Sequence, residues 1–228
     1  MNKRTLAFLL LLLALPHARP ASGQNVVLDE GVFRLQMNGQ DIGTETFAIR
    51  RIGQAEDAHV IANAVIELDL PTGHEQVKPL LRAGTDLSLS AYQLEVSGAA
   101  PTEIAITANG RRLLARTRTP TGDKEREFRA TPGGVLLEDG VAHQYWFLSQ
   151  LAEGTDVTVL VPRAGRQDRI VVSGTRSEPV AIAGAEVQAR HVTFEINGGV
   201  HDVWYDASGR VLRVSVPATG FSAERTAR

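Results

Sequence analysis

Apolar and polar residues alternate along most of the chain, a period-two pattern that is typical of β-strands with one face in a core. The clearest example is 58–70, where every even position is apolar and several odd positions are polar. We predict about ten strands in an all-β fold. The alternation covers 33–37, 47–49, 58–70, 86–97, 103–119, 124–130, 155–161, 168–175, 186–196, 201–205 and 210–216.

Local breaks in this pattern indicate turns and bends. Asn38-Gly39 separates two alternating runs, and this pair favours the positive φ angles of a tight hairpin turn. The apolar positions change parity near Ala91 and again near Arg190, and a β-bulge at each place would restore the facing of the side chains. Because bulges bend a sheet, we predict a strongly curved antiparallel sheet, a half-barrel or open barrel.

One segment, 139–153, has helical spacing instead. Asp139 can cap this helix, and Gly154 follows its end. Its apolar stripe consists of Val141, Tyr145, Leu148 and Ala152. Trp146 and Phe147 lie off that stripe, so the helix is apolar on more than one side. We therefore expect the curved sheet to wrap around it.

The first 23 residues have the features of a secretory signal peptide. Lys3 and Arg4 precede an apolar run over 6–15, and small residues follow at 21–23. We predict that 24–228 form a single β-rich domain in a bacterial periplasm. The chain has no cysteine, so this protein would carry neither a lipid anchor on cysteine nor a disulfide.

Charge and hydropathy exclude two classes of partner. Removal of the leader would take away three basic residues and no acid, leaving 21 basic against 26 acidic residues, a net charge of −5. That balance argues against nucleic-acid binding. No stretch after the leader is long and apolar enough for a transmembrane segment.

The chain shows no familiar catalytic motif. Five histidines follow the leader, and none is spaced to place two metal ligands on one element: His59, His74, His143, His191 and His201. A nucleophile elbow and a glycine-rich phosphate loop are absent as well. We therefore expect no metal, no cofactor and no catalytic residue. The sequence favours a protein that is not an enzyme, and an enzyme of unrecognised type is the remaining alternative.

Two polar groupings have competing interpretations. His143–Trp146 could converge on a cavity, or the aromatic residues could fill core with His143 on the surface; we favour the second. The run 113–130 folds back at Thr121-Gly122, which would pair Arg118 with Glu125. That charged face could be a binding site or a solvated set of ion pairs, and we again favour the second.

Motifs near the two ends of the chain carry a resemblance to known proteins. GVFRL over 31–35 with NGQDIGTETF over 38–47 resembles the opening hairpin of related exported bacterial families that are known only as domains of unknown function. VWYDASGRVLRV over 203–214 resembles their closing hairpin. The resemblance implies an exported β-rich protein and transfers no catalytic residue.

A second resemblance is to carriers of the LolA and LppX type. In those proteins a curved antiparallel sheet wraps helices and leaves a hydrophobic cavity for acyl chains. This chain departs from them because it has one predicted helix, whereas such carriers use several to line and close the cavity. Fold likeness alone does not give function.

The leading hypothesis is a non-enzymatic periplasmic protein that binds a lipid or another apolar ligand in the concave face of the sheet. The predicted binding residues come from the helix and from the middle of a long apolar strand face: Tyr145, Trp146, Phe147, Leu148, Ala62 and Ala64. The alternative is an envelope accessory protein that holds a protein partner.

Overall fold

The structure is a computed structural model that describes residues 25–54 and 57–227. Its fold is all-β, as predicted, with fifteen strands in one sheet. The strands of the first half are β1 Asn25–Met37, β2 Gln40–Ile52, β3 His59–Leu70, β4 Gly73–Gly84, β5 Leu89–Ser97, β6 Thr102–Asn109, β7 Arg112–Thr119 and β8 Gly122–Arg129. Those of the second half are β9 Val135–Leu136, β10 Asp156–Val161, β11 Arg166–Ile182, β12 Ala185–Ile196, β13 Gly199–Tyr205, β14 Val211–Val216 and β15 Phe221–Arg225.

Two meanders make up this sheet. Strands β1 to β8 lie side by side in chain order, and so do β9 to β15. The meanders join where β1 pairs with β15, and all pairings are antiparallel except β9 with β10. The sheet is not closed, so β8 and β9 are its edges.

Side chains bridge the gap near these edges. The Gln167 amide accepts from the Arg129 N–H at 3.2 Å and donates to the Arg129 carbonyl at 2.8 Å. Arg126 donates to the carbonyl of Gly165. The strand β8 therefore lies beside the start of β11, which requires the sheet to curl round as an open barrel.

The predicted opening hairpin is confirmed. Met37 pairs with Gln40 across Asn38-Gly39, and both turn residues have positive φ. Gly43 follows at a bulge in β2, with a φ of +151°. A Cβ there would lie 1.8 Å from the carbonyl oxygen of Glu67, so the close approach of β2 to β3 needs glycine at this position.

One predicted bulge is confirmed and the other is wrong. Ser90 is the extra residue between β4 and β5, next to Ala91. At Arg190 the pairing of β12 runs without interruption. The parity changes there because Val187 and Ala189 face outward, into a second apolar cluster on the convex side. That outer cluster consists of Val180, Ile182, Val187, Ala189, Trp204 and Leu212.

The outer cluster has a polar border. His191 stacks on Trp204, and its Nε2 lies 2.8 Å from the Asp202 carboxylate. Its Nδ1 lies 3.0 Å from Glu178, within ion-pair range but without hydrogen-bond geometry. Glu178 in turn accepts a hydrogen bond from the Trp204 indole at 2.6 Å and one from Arg176 at 2.8 Å.

Hydrogen bonds from Arg176 and Trp204 lower the pKa of Glu178 to about 2. Since this carboxyl has a depressed pKa in the folded state, its stabilising effect is present above its ordinary pKa and is lost as the pH falls through about 2. In a Trp146→Phe variant, which leaves Trp204 as the single tryptophan, we expect constant Trp204 fluorescence from pH 6 to 3. A transition at the ordinary pKa of a glutamate, about 4.3, would contradict this.

The helix is shorter than predicted and of another type. Of the predicted range 139–153, only His143–Leu148 is helical, as a 3₁₀ helix within an inner segment (residues 137–153) that crosses the concave face. Gly140, directly after Asp139, has a φ of +79°, which is not a helical conformation, so no helix can continue through this position. The prediction that Asp139 caps the helix is wrong. The carboxylate of Glu45, on β2, accepts the N–H groups at the start of the helix instead.

The structure has more strands than the predicted ten or so. The run 103–119 is two strands, and β4, β9 and β15 were not predicted. β4 carries Pro79, which argues against an interior strand; in the structure, no β3 residue pairs with Lys78 or Pro79. The hairpin of β7 and β8 is shifted by two residues, so Arg118 pairs with Asp123 rather than with Glu125.

Candidate functional site

A cavity of about 410 Å³ lies at one end of the open barrel, between the inner segment and the sheet. The ends of β1 and β3 and the starts of β2 and β4 form one side of it, and the β14–β15 turn continues that side. The inner segment, the loop between β10 and β11, and the start of β13 form the other. The inner segment packs closely against the sheet around Phe147, where the free space is only about 10 Å³, and leaves the cavity at this end.

The side formed by the sheet is apolar. Its side chains are Met37, Ile42, Ile66, Leu68, Leu70, Val77, Val216 and Phe221. They lie at the inward positions of their strands, as alternation requires. Apolar walls of this kind are typical of small-molecule sites, which measure roughly 300–1,000 Å³.

The opposite side carries the polar groups. Asp139, Arg163, Arg166 and His201 line it together with Tyr145, and the Glu75 carboxylate, on β4, lies 3.9 Å from Arg163. The Tyr145 hydroxyl lies 2.6 Å from His201 Nδ1. Burial raises the pKa of Tyr145 and lowers the pKa of His201, so this hydrogen bond joins two neutral groups.

Both arginines of the cavity have a carboxylate partner. Arg163 donates through Nε to Glu138 at 2.8 Å and through Nη2 to the Asp139 carbonyl at 2.7 Å. Burial raises the pKa of Glu138, and Arg163 counteracts that effect. Arg166 donates through Nε to Asp168 at 2.5 Å.

Glu45 holds the start of the 3₁₀ helix. Its carboxylate accepts the N–H groups of Ala142 at 2.7 Å and His143 at 2.8 Å, and it lies 2.7 Å from His143 Nδ1. Glu45 and the His143 side chain are fully buried. Glu45 and Phe47 both come from the opening motif, and the Phe47 ring stacks on His143 at 5.7 Å.

The closing motif holds the same segment at its other end. The Tyr205 hydroxyl donates to the Tyr145 carbonyl at 2.9 Å. Arg190 donates to the carbonyl of Ser149 and lies over the Tyr205 ring at 5.0 Å. Both terminal motifs therefore position the inner segment, which forms one side of the cavity.

The structure brings one of the predicted binding residues to the cavity. Tyr145 lines it. Phe147 and Leu148 are buried farther in, where the space beside Phe147 is only about 10 Å³. Ala62 and Ala64 are buried on β3, a strand that contacts the helix. Trp146 is half-buried, and its ring is nearly perpendicular to that of Phe147, with 5.2 Å between the ring centroids. Ligand binding at these residues stays a prediction.

His143 is not on the surface, contrary to the favoured interpretation. It is buried beside Glu45, and its Nε2 has no hydrogen-bond partner among the described residues. Since neither side chain lines the cavity, this pair anchors the chain and is not placed to contact a ligand there.

Two other features are absent from the described residues. Within 25–54 and 57–227, no cluster of three or more histidine or acidic side chains is arranged to hold a metal ion. None of the helices in these ranges has the length and apolar character needed to cross a bilayer. The predicted signal peptide, residues 1–23, lies outside the described residues.

Neither a family model nor a curated protein matches this sequence. Among solved structures, the chain is similar to a beta-barrel-like protein of domain of unknown function DUF1849 from Brucella abortus, with a TM-score of 0.49 and 9% identity over 90% of this chain and 95% of that one. It is also similar to a DUF1089 family protein from Pseudomonas aeruginosa, with a TM-score of 0.41 and 14% identity over 93% of this chain and 98% of that one.

Proposed function

We propose that this protein is an exported, non-enzymatic binding protein that holds a hydrophobic or lipid-like ligand in the cavity at the end of its open barrel. The observation that carries the proposal is the cavity itself, about 410 Å³ with one apolar side and one polar side. An aqueous cavity with so many apolar side chains is costly to leave hydrated, and an apolar ligand would cover them.

The residues that shape the cavity also support this function. The carboxylate of Glu45 and the hydroxyl of Tyr205 fix the inner segment from two sides, so the cavity has a preformed wall. A preformed site binds with less loss of conformational entropy than one that must be assembled. The polar groups at one side would orient the ligand, and the apolar side would supply most of the binding free energy.

Filling the cavity should abolish binding. Leu68 lies on the cavity side of β3 and is half-buried, so Leu68→Trp would occupy ligand space without disturbing the centre of the core. We expect native mass spectrometry of the protein, purified without detergent, to show a bound lipid-sized mass. The amount of bound mass should fall by about tenfold or more in Leu68→Trp. The added side chain would overlap the ligand, and overpacking of this kind typically costs about 1 to 3 kcal/mol.

Val65→Trp is the matched control. Val65 lies three residues earlier on the same strand, faces outward and is 38% exposed. The same added bulk there should leave the bound mass unchanged. Equal ligand content in the two variants, both folded by circular dichroism, would show that this cavity is not the binding site.

A further inference from the structure

From the volume and charges of the cavity, we infer that its ligand is an amphiphile with a single acyl chain and a headgroup of no net charge. This inference rests on the proposed binding function and specifies its ligand class. Headgroups of this kind include an uncharged glycerol ester and a zwitterionic lysophospholipid. Both would present oxygen acceptors to the polar side of the cavity.

The volume limits the number of chains. At about 410 Å³ the cavity is near the lower end of the range of small-molecule sites. The barrel interior beyond it is filled by the inner segment, and the next space, beside Phe147, is about 10 Å³. One acyl chain fits along the apolar side, whereas a second chain has no comparable space.

The charges limit the headgroup. The cavity lining holds two carboxylates, Glu75 and Asp139, and two guanidinium groups, Arg163 and Arg166. Burial lowers the pKa of His201, so this ring adds no charge at neutral pH. A headgroup with a full negative charge would therefore meet Asp139 and Glu75 without an unpaired arginine to compensate for them.

The remaining hydrogen-bonding capacity favours acceptor oxygens. Arg166 uses Nε for Asp168, and its two Nη groups form no hydrogen bond with another described residue. The neutral His201 ring binds Tyr145 through Nδ1, and its Nε2 forms no hydrogen bond with another described residue. The Asp139 carboxylate lines the cavity, where its charge acts on Arg166, and it can accept from a glycerol hydroxyl or an ammonium group.

The test uses four palmitoyl ligands with the full-length protein freed of bound lipid. The two predicted ligands are monopalmitoylglycerol and palmitoyl lysophosphatidylethanolamine. Palmitate tests the effect of a negative charge, and dipalmitoyl phosphatidylethanolamine tests the effect of a second acyl chain. We expect one-to-one binding of the predicted pair by native mass spectrometry, with Kd values about tenfold below that of palmitate, as one uncompensated charge contact implies. Phosphatidylethanolamine should not bind.

Asp139→Asn supplies a charge test within the site. This variant removes one negative charge from the lining, so the affinity for palmitate should rise by about tenfold. Glu95→Gln, with the same charge change at an exposed position of β5, should leave that affinity unchanged. Equal binding of palmitate and monopalmitoylglycerol by the wild type, or no response to Asp139→Asn, would overturn the headgroup inference.

The remaining outcomes separate this inference from the function on which it rests. Tight binding of phosphatidylethanolamine would overturn the single-chain inference and leave the binding function intact, provided that Leu68→Trp abolishes it. Binding of none of the four ligands, together with no native lipid in the purified protein, would overturn both.

Discussion

Replacing Glu45 with alanine should lower the free energy of unfolding by about 3 to 5 kcal/mol, because it leaves buried donors of the inner segment without an acceptor. The N–H groups of Ala142 and His143 and the His143 ring all depend on this carboxylate. Glu45 and His143 are buried, so these donors are not exposed to bulk water in the folded state. Urea unfolding followed by circular dichroism would measure the loss.

Thr46→Ala is the control for this experiment. Thr46 is the next residue on β2, but its side chain is exposed, so we expect a change within about 0.5 kcal/mol. Glu45→Gln keeps an acceptor oxygen and should fall between the two. If Glu45→Ala costs no more than Thr46→Ala, the carboxylate does not hold the inner segment.

The second large effect is expected at the join between the meanders. Arg225 donates to both carboxylate oxygens of Asp29 at 2.7 Å, to the Val211 carbonyl at 2.9 Å and to the Glu30 carbonyl at 3.1 Å. Arg225→Met would leave a buried carboxylate without its partner and should cost about 3 to 5 kcal/mol at neutral pH. The same urea experiment measures it.

The pH dependence of that loss identifies its cause. Burial raises the pKa of Asp29, and Arg225 opposes this effect. A raised pKa means that protonated Asp29 favours the folded state below its ordinary pKa and that this contribution disappears as the pH rises. Near pH 4, about the ordinary pKa of aspartate, Asp29 without Arg225 would be protonated in the folded state. The loss of unfolding free energy caused by Arg225→Met should therefore be smaller at pH 4 than at pH 7. A deficit equal at pH 4 and pH 7 would contradict this account.

A double variant completes the comparison. Asp29→Asn with Arg225→Met removes both charges, so its loss should be smaller than the sum of the two single losses. Additive losses would mean that the two side chains act independently, despite their contact.

Features that depend on local pattern were predictable from the sequence. Most of the β-strands, the Asn38-Gly39 turn and the bulge beside Ala91 follow from alternation and turn chemistry over a few residues. The Arg190 bulge was wrong because alternation reports which side of a strand is apolar, not which surface covers it. In this protein both faces of β12 are covered, one by the main core and one by the outer cluster.

The anchors and the cavity depend on contacts between distant residues. Glu45 and the first residue of the 3₁₀ helix, His143, are 98 positions apart, and Asp29 and Arg225 are 196 apart. A signal was nevertheless present, because Glu45 shares its parity with Phe47 and Ile49, the inward side of β2. A charged residue at such a position indicates a buried partner, although the sequence does not say which one.

The place of β15 in the sheet has a consequence for how the chain folds. Within each meander, every hairpin forms between strands that are adjacent in sequence, so those contacts close short loops. The pairing of Phe33 with Arg225 must instead bring together opposite ends of the described chain, and we expect it to form late. Until then, β1 and β15 are exposed strand edges, and a chain that ends before β15 would instead keep β1 and β14 as edges and sites for aggregation.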